Sequence, residues 1–250
     1  MLRIARMHNL VIDIGNTYSK FAVFNSKTLV HYQRVETLEI DQLKEVIATY
    51  GVQNFTISSV DAETDEVVGF LKDKLNYFPF STHVQAGILN NYGTVSTLGL
   101  DRWAKVIAAH KLYANRNCLL IDAGTCITYD VLTDKSEYFG GSISLGINMR
   151  FEALHHFTGK LPFIKWDRAV NIPAGTTTED AIKNGVLQGI AHEVAGFIAS
   201  ENAKNAALLI LLTGGDANFL MEQLKNSIFA SQITHDPYLV LKGLNEVITL

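Results

Sequence analysis

The chain repeats one short design, and that repetition constrains its possible folds more than any other feature. In the first copy, Leu10 to Phe24 (LVIDIGNTYSKFAVF), an apolar run from Leu10 to Ile12 delivers Asp13 to a strand end. Gly15 follows, and Asn16, Thr17 and Ser19 line the turn before the apolar pattern resumes at Phe21. In the second copy, Leu119 to Leu132 (LLIDAGTCITYDVL), Leu119, Leu120 and Ile121 match Leu10, Val11 and Ile12, while Asp122 matches Asp13 and Gly124 matches Gly15. Gly15 permits a close backbone approach, so main-chain N–H groups and the hydroxyls of Thr17 and Ser19 can converge on an anion. Taken alone, Asp13 to Thr17 fits a tight β-hairpin with a solvated aspartate at its rim just as well. Two such units imply two similar α/β halves whose carboxylates face each other across a cleft, a place for a nucleotide and its metal ions.

Composition excludes several partners. A chain of 250 residues, 48% apolar and 18% charged, buries a sizeable core in one large domain or two small ones. Its 21 basic and 25 acidic residues leave a net charge of -4, with no Lys/Arg block, so nucleic acid is not an expected partner. Cys118 and Cys126 lie beside or within an apolar strand without metal-ligand spacing and read as buried free thiols of a reducing, cytoplasmic setting. The N-terminus, MLRIARMHNL, lacks the apolar core of a signal peptide, and no run reaches the roughly eighteen apolar residues that span a membrane. Met7 offers an alternative start, leaving Met1 to Arg6 as a disordered extension.

The expected order in the first half is strands at Leu10–Ile14, Lys20–Asn25 and Leu29–Val35, a helix at Asp41–Tyr50, a strand at Phe55–Val60 and a helix at Glu63–Asn76. Strand-strand-strand-helix-strand-helix is a ribonuclease-H-like order. The second half starts alike, with strands near Cys118–Ala123, Thr128–Leu132 and Glu137–Leu145, then a longer helical section, a strand at Ala207–Leu212 and a helix after Gly215. Between the halves, Tyr92 to Arg102 (YGTVSTLGLDR) opens a helix running to about Tyr113, with Asp101 and Arg102 in its first turn. On this evidence alone, Asp101 is either a functional carboxylate or a helix cap, and Arg102 either a ligand-gripping or a surface residue.

These elements resemble the type III pantothenate kinase family, of the superfamily of acetate and sugar kinases, heat-shock chaperones and actin. The matching segments, in the family's order, are Asp13-Ile14-Gly15-Asn16-Thr17, Gly99-Leu100-Asp101-Arg102-Trp103, Asp122-Ala123-Gly124-Thr125, Gly140-Gly141-Ser142-Ile143, Ala153-Leu154 to Leu161-Pro162, Thr178 ahead of Ala181-Ile182 and Gly185, and Thr213-Gly214-Gly215-Asp216. The Gly-x-Asp-Arg element sets them apart, since related sugar kinases and chaperones lack it. The resemblance implies an α/β fold of two duplicated ribonuclease-H-like domains of the actin-like ATPase superfamily with a cleft between them. The halves would be 1–115 and 116–250, the second with a helical insertion around 147–200.

The activity implied is ATP-dependent phosphorylation of the primary hydroxyl of pantothenate to 4'-phosphopantothenate, the first committed step toward coenzyme A. Carried over residue by residue, Asp13, Ile14, Gly15, Asn16, Thr17, Tyr18, Ser19 and Lys20 would hold the ATP phosphates, with Asp13 also on magnesium and Thr125 beside the phosphates. Asp101 would accept the hydroxyl proton. Tyr92, Gly99, Leu100, Asp101, Arg102 and Thr178 would contact pantothenate. A carboxylate of ordinary pKa, about 4, is a poor base for an alcohol, but in a loose phosphoryl-transfer transition state the proton leaves late and orientation matters more. Asp122 would bind a monovalent cation, potassium or ammonium; the wider superfamily suggests magnesium through water instead. A triphosphate brings about four negative charges to a site already lined with carboxylates, which calls for magnesium and a further cation. Family members are homodimers, so a homodimer is expected.

The chain departs from the family's pattern at two positions: Val95 and Leu145 stand where proline is common. Both substitutions lose rigidity rather than a reactive group. Two other functions fit the same residues: a superfamily enzyme acting on another small alcohol, and a non-catalytic regulatory relative. The glycines Gly185 and Gly189 read as permitting close helix packing, and Gly140 and Gly141 as either a loop near the cleft or a β-bulge.

Overall fold

The computed structural model describes residues 7–59, 65–205 and 207–250, which form two compact units: Met1–Tyr113 with Tyr238–Leu250, and Ala114–Pro237. In the first, alternation along β1 (His8–Ile14) decides the layering. Leu10 and Ile12 face one side and join Phe21, Val23, Phe55, Leu43 and Leu71 in a core, whereas Asn9, Val11 and Asp13 face the other. The strands β2 (Ser19–Asn25), β3 (Thr28–Val35), β4 (Val52–Ser59) and β5 (Asn76–Tyr77) complete a sheet of order β3-β2-β1-β4-β5. β1 pairs antiparallel with β2 and parallel with β4. Helices α1 (Ile40–Tyr50) and α2 (Asp65–Lys72) cover the Leu10 face. A two-residue strand, β6 (Leu89–Asn90), precedes the helix α3 (Leu100–Leu112).

The second unit repeats the plan. Its strands β7 (Cys118–Ala123), β8 (Cys126–Leu132), β9 (Glu137–Leu145), β10 (Leu209–Thr213) and β11 (Ile233–His235) run in the order β11-β10-β7-β8-β9. As in the first sheet, three antiparallel strands are extended by two parallel ones on the side of the first strand. Helices α4 (Ile147–His156), α5 (Thr178–Lys204) and α6 (Ala217–Leu224) pack on the face presented by Leu119, Ile121 and Ile210. The duplication read from the two aspartate motifs is thus a duplication of topology, and both repeats follow the ribonuclease-H-like order.

One element crosses the expected boundary at 115. The last helix, α7 (Leu239–Val247), follows β11 in the chain but packs against α3, β1 and β4, so Tyr238–Leu250 belongs to the first unit. A relay of amides, exposed at Asn76 and buried at Asn54, Asn9 and Asn245, fixes this arrangement. Asn76 Nδ2 donates to Asn54 Oδ1 (3.1 Å), Asn54 Nδ2 to Asn9 Oδ1 (3.0 Å), Asn9 Nδ2 to Asn245 Oδ1 (3.0 Å), and Asn245 Nδ2 to the Ser26 carbonyl (2.8 Å). Such a chain is tolerable in a core because each member finds partners, and it admits one register of α7 on the sheet.

Local differences from expectation have local causes. The helix expected over Glu63–Asn76 stops at Lys72, where Lys74 N turns to the Leu71 carbonyl (3.0 Å); Tyr77 stacks on Phe55 at 4.8 Å and recruits Asn76–Tyr77 into the sheet. Val60, Glu63 and the extension Met1 to Arg6 lie outside the described residues. The helical section around 147–200 is two helices, separated by a stretch from 157 to 177 without helix or strand. Gly140 takes φ +94° beside a register shift in the β8–β9 ladder, which makes this pair a β-bulge. Nothing stands within 4 Å of a β-carbon built at Gly185 or Gly189, so packing within this chain does not account for either. Cys118 is buried, its thiol pushed up to about 11 by burial against the opposing charge of Arg116, while Cys126 is only half-buried. No helix among the described residues is long and apolar enough to cross a membrane.

Candidate functional site

The ends of β1 and β7 show what the two repeats share and where they differ. Across the first sheet, Ser58, Asp13, Lys20 and Arg34 are direct neighbours in one row on one face. Asp13 is buried, with Lys20 Nζ 3.7 Å from its Oδ2. The following turn closes by a hydrogen bond from Gly15 N to the Tyr18 carbonyl (3.2 Å), leaving Gly15, Asn16 and Thr17 exposed and Ser19 buried. Of the two hydroxyls expected to meet an anion, that of Thr17 is the one at the surface. Tyr18 lies under the Arg34 guanidinium, 3.6 Å from ring centre to Cζ, and Ile14 is half-buried.

In the second sheet the corresponding row is Thr213, Asp122, Thr128 and Ile143. Threonine and isoleucine replace the two cations. Asp122 is half-buried and Thr125 exposed, in a turn closed by Gly124 N to the Cys126 carbonyl (3.0 Å). Gly146 lies directly beneath: a β-carbon there would stand 2.2 Å from the Gly124 carbonyl oxygen and 2.3 Å from that of Thr125. Only glycine allows this approach, and Gly146 N donates to the Thr125 carbonyl (3.1 Å). Arg150 Nε donates to the Leu145 carbonyl (2.9 Å), fixing the residue that stands where the family has proline.

The third group opens α3. Gly99 is the N-cap and no side chain caps the helix, so the cap reading of Asp101 does not hold. Its carboxylate instead lies 3.5 Å from Nζ of Lys105, one turn on. The lysine is fully buried; the aspartate side chain is 38% exposed. Arg102 is buried rather than on the surface, with its guanidinium over the Tyr92 ring at 5.4 Å, and Leu100 is half-buried. The preceding loop is held by Tyr92 N donating to Asn90 Oδ1 (3.1 Å) and by Thr97 Oγ1 donating to Thr94 at 2.9–3.0 Å. These bonds replace the stiffness that proline at Val95 would bring.

Thr178 is the first residue of α5; Thr177 caps that helix by accepting from Asp180 N (3.1 Å). Thr178 lies on the wall of an open, mostly apolar cavity of about 760 Å³, with Leu145, Arg150, Leu154, Phe157 and Ile182. Arg150 is anchored to Glu193 and Ser144, and Tyr129 donates to Glu193 at 2.8 Å. Burial opposes the charge of Glu193, but hydrogen bonds from Arg150, Tyr129 and Ser144 outweigh it and hold the carboxyl below its ordinary range. Burial, then the Glu193 contact, pushes the Tyr129 phenol well up. Sequence reasoning missed Ser58, Arg34, Arg150 and Lys105. Only Lys105 carried a signal, the four-residue spacing from Asp101.

Among the described residues no three His, Cys, Asp or Glu side chains form a metal cluster. One buried carboxylate at a strand end suits magnesium that takes its other ligands from water and phosphate, as Asp13 would require. Asp122 has Thr128 and Thr213 as its neighbours in the adjacent strands, oxygen-bearing side chains of the kind a hard cation takes as ligands.

Residues 9–200 match a family described as type III pantothenate kinase. A type III pantothenate kinase from Bacteroides fragilis is 39% identical, with 96% of this chain and 97% of that protein covered. One from Christiangramia forsetii is 38% identical over 96% and 97%. Among solved structures, a Campylobacter jejuni protein described as a Baf family transcriptional activator superposes with a TM-score of 0.60 at 25% identity, covering 96% and 97%. The activator of a Clostridium difficile 2-hydroxyisocaproyl-CoA dehydratase, with bound ADPNP, gives 0.55 at 10% identity over 96% and 92%, a likeness of fold alone.

Proposed function

The chain belongs to the type III pantothenate kinase family, and on that premise we propose how its residues divide the work. It is an enzyme that phosphorylates pantothenate with ATP in coenzyme A biosynthesis. The observation that carries the division is the carboxylate of Asp101, part-exposed at the start of α3 and free of capping duty. In the proposed step, Asp101 accepts the hydrogen bond of the pantothenate primary hydroxyl and aims its oxygen at the γ-phosphorus. The new P–O bond forms as the bond to the β-phosphate oxygen breaks, ADP departs, and the hydroxyl proton passes to Asp101. Arg102, with Tyr92 beneath it, pairs with the pantothenate carboxylate or with charge developing on the phosphoryl group. Gly99, Leu100 and Thr178 complete the substrate contacts.

The turn from Asp13 to Lys20, together with Thr125, holds the phosphates. Magnesium at Asp13 and a potassium or ammonium ion at Asp122, when bound, neutralise phosphate charge. The comparison of rows supports the asymmetry: the first repeat places Lys20 beside its aspartate in the neighbouring strand, the second places Thr128 there. The two free thiols support a cytoplasmic location.

A coupled assay of ADP release from ATP and magnesium, run with and without pantothenate in sodium and in potassium buffer, tests this. Pantothenate-dependent release that requires potassium is the expected result. Release indifferent to the cation removes the monovalent site and keeps the kinase. Absence of pantothenate-dependent release from folded protein turns the assignment to another small alcohol or to a regulatory relative.

The protein is also proposed to be a homodimer. Phe157, 82% exposed, and the open, mostly apolar cavity wall beside the exposed Gly185 of α5 support an apolar contact face on the second unit. Light scattering should give about 55 kDa, twice the 27.6 kDa chain, at micromolar concentration. A mass of one chain overturns the assignment.

A further inference from the structure

We infer that Lys105 is a positioning residue for the acceptor carboxylate, fixing which oxygen of Asp101 meets the substrate hydroxyl. The inference rests on the reading of Asp101 given above. Lys105 is fully buried, so its ammonium cannot touch a bound substrate and acts through the carboxylate. Nζ stands 3.5 Å from Oδ2. The other oxygen, Oδ1, lies over Gly99, 2.7 Å from where a β-carbon would be. The two oxygens are therefore not equivalent: Oδ2 is directed to the interior by the cation, and Oδ1 lies along the N-terminal edge of the helix, against the glycine of the Gly-x-Asp-Arg element.

Packing alone does not explain the lysine. Its neighbours Ala104, Val106, Ile107, Ala108 and Ala109 are all buried and apolar, and an apolar side chain in such a stripe is generally at least as stabilising as a buried charge. What the ammonium adds is orientation. With Oδ2 drawn toward the cation at 3.5 Å, one orientation of the carboxylate is favoured, and Oδ1 is the oxygen presented to the hydroxyl. During transfer the hydroxyl proton goes to Oδ1 as the new P–O bond forms, and Lys105 keeps its own proton throughout.

The test is a cycle of Lys105→Met, Asp101→Asn and the double variant, with kcat, both KM values and thermal melting measured on each. Lys105→Met should lower kcat by roughly 30- to 100-fold, because misaimed groups lose rate rather than binding, with both KM values within about threefold. In the Asp101→Asn background the same change should add less than about twofold, since the residue through which it acts is gone. A melting temperature that falls while kcat per folded molecule holds overturns the inference, as does a full multiplicative loss in the double variant. If Asp101→Asn alone retains wild-type turnover, the site assignment itself has failed, a result distinct from failure at Lys105. Should Lys105→Met not fold, a crystal structure of the unaltered protein with pantothenate decides: the hydroxyl on Oδ1 with Lys105 on Oδ2 supports the inference, and the hydroxyl on Oδ2 or on another residue overturns it.

Discussion

Asp101→Asn should lower kcat by about 10²- to 10⁴-fold while pantothenate and ATP still bind, the range typical of removing a positioned proton acceptor. Asparagine keeps the shape and one acceptor oxygen, so ground-state contacts survive. It cannot take the proton, and the amide nitrogen presents N–H where the hydroxyl needs a lone pair. The loss corresponds to about 3 to 5 kcal/mol of transition-state stabilisation. Stability should fall as well, by about 1–3 kcal/mol, because Lys105 is fully buried and the amide offers it an acceptor oxygen but no charge. Steady-state kinetics paired with calorimetric titration of pantothenate in the presence of a non-hydrolysable ATP analogue separates the two. Undiminished turnover would leave Asp101 as nothing more than the partner of a buried lysine.

How much of this was legible depends on the range of the interaction concerned. The aspartate motifs read well because strand, turn and strand are local: an apolar run, one carboxylate and one glycine define each, and the second copy confirms the first. The sheet orders follow, since each repeat must pair its three consecutive strands before crossing over. Interactions between distant segments were not legible. The row that gives Asp13 a lysine and Asp122 a threonine depends on register, which a one-residue slip would erase. Asn76 enters the sheet through Asn54, a tertiary contact that overrides the helical pattern running up to Leu75. Thr178 lines a cavity while its neighbour Thr177 does the capping, a distinction of one residue that composition cannot make. The burial of Lys105 in α3 is set by the elements packed around that helix, which the four-residue spacing from Asp101 does not reveal.

Gly243→Ala should destabilise the protein by about 3 kcal/mol or more, the upper end of the cost of overpacking a core. A β-carbon at this position would stand 1.8 Å from the carbonyl oxygen of Ala104 and 2.5 Å from its carbon. Those atoms are helix backbone in α3, not the mobile end of a side chain, so α7 must withdraw. Withdrawal also pulls Asn245 from Asn9, and a buried amide left without its partner costs about 1–3 kcal/mol more. Because α3 carries Asp101 and Lys105 as well as Ala104, a loosened α7 also disturbs the helix on which those two residues stand. Gly69→Ala is the control: it is exposed in α2, nothing stands within 4 Å of its β-carbon, and helix propensity predicts a gain of up to about 1 kcal/mol. Urea titration of both variants beside the unaltered protein measures the contrast. Equal midpoints would mean that α7 has room at Ala104 in solution, and that Tyr238–Leu250 is not anchored to the first unit by the contact at Gly243.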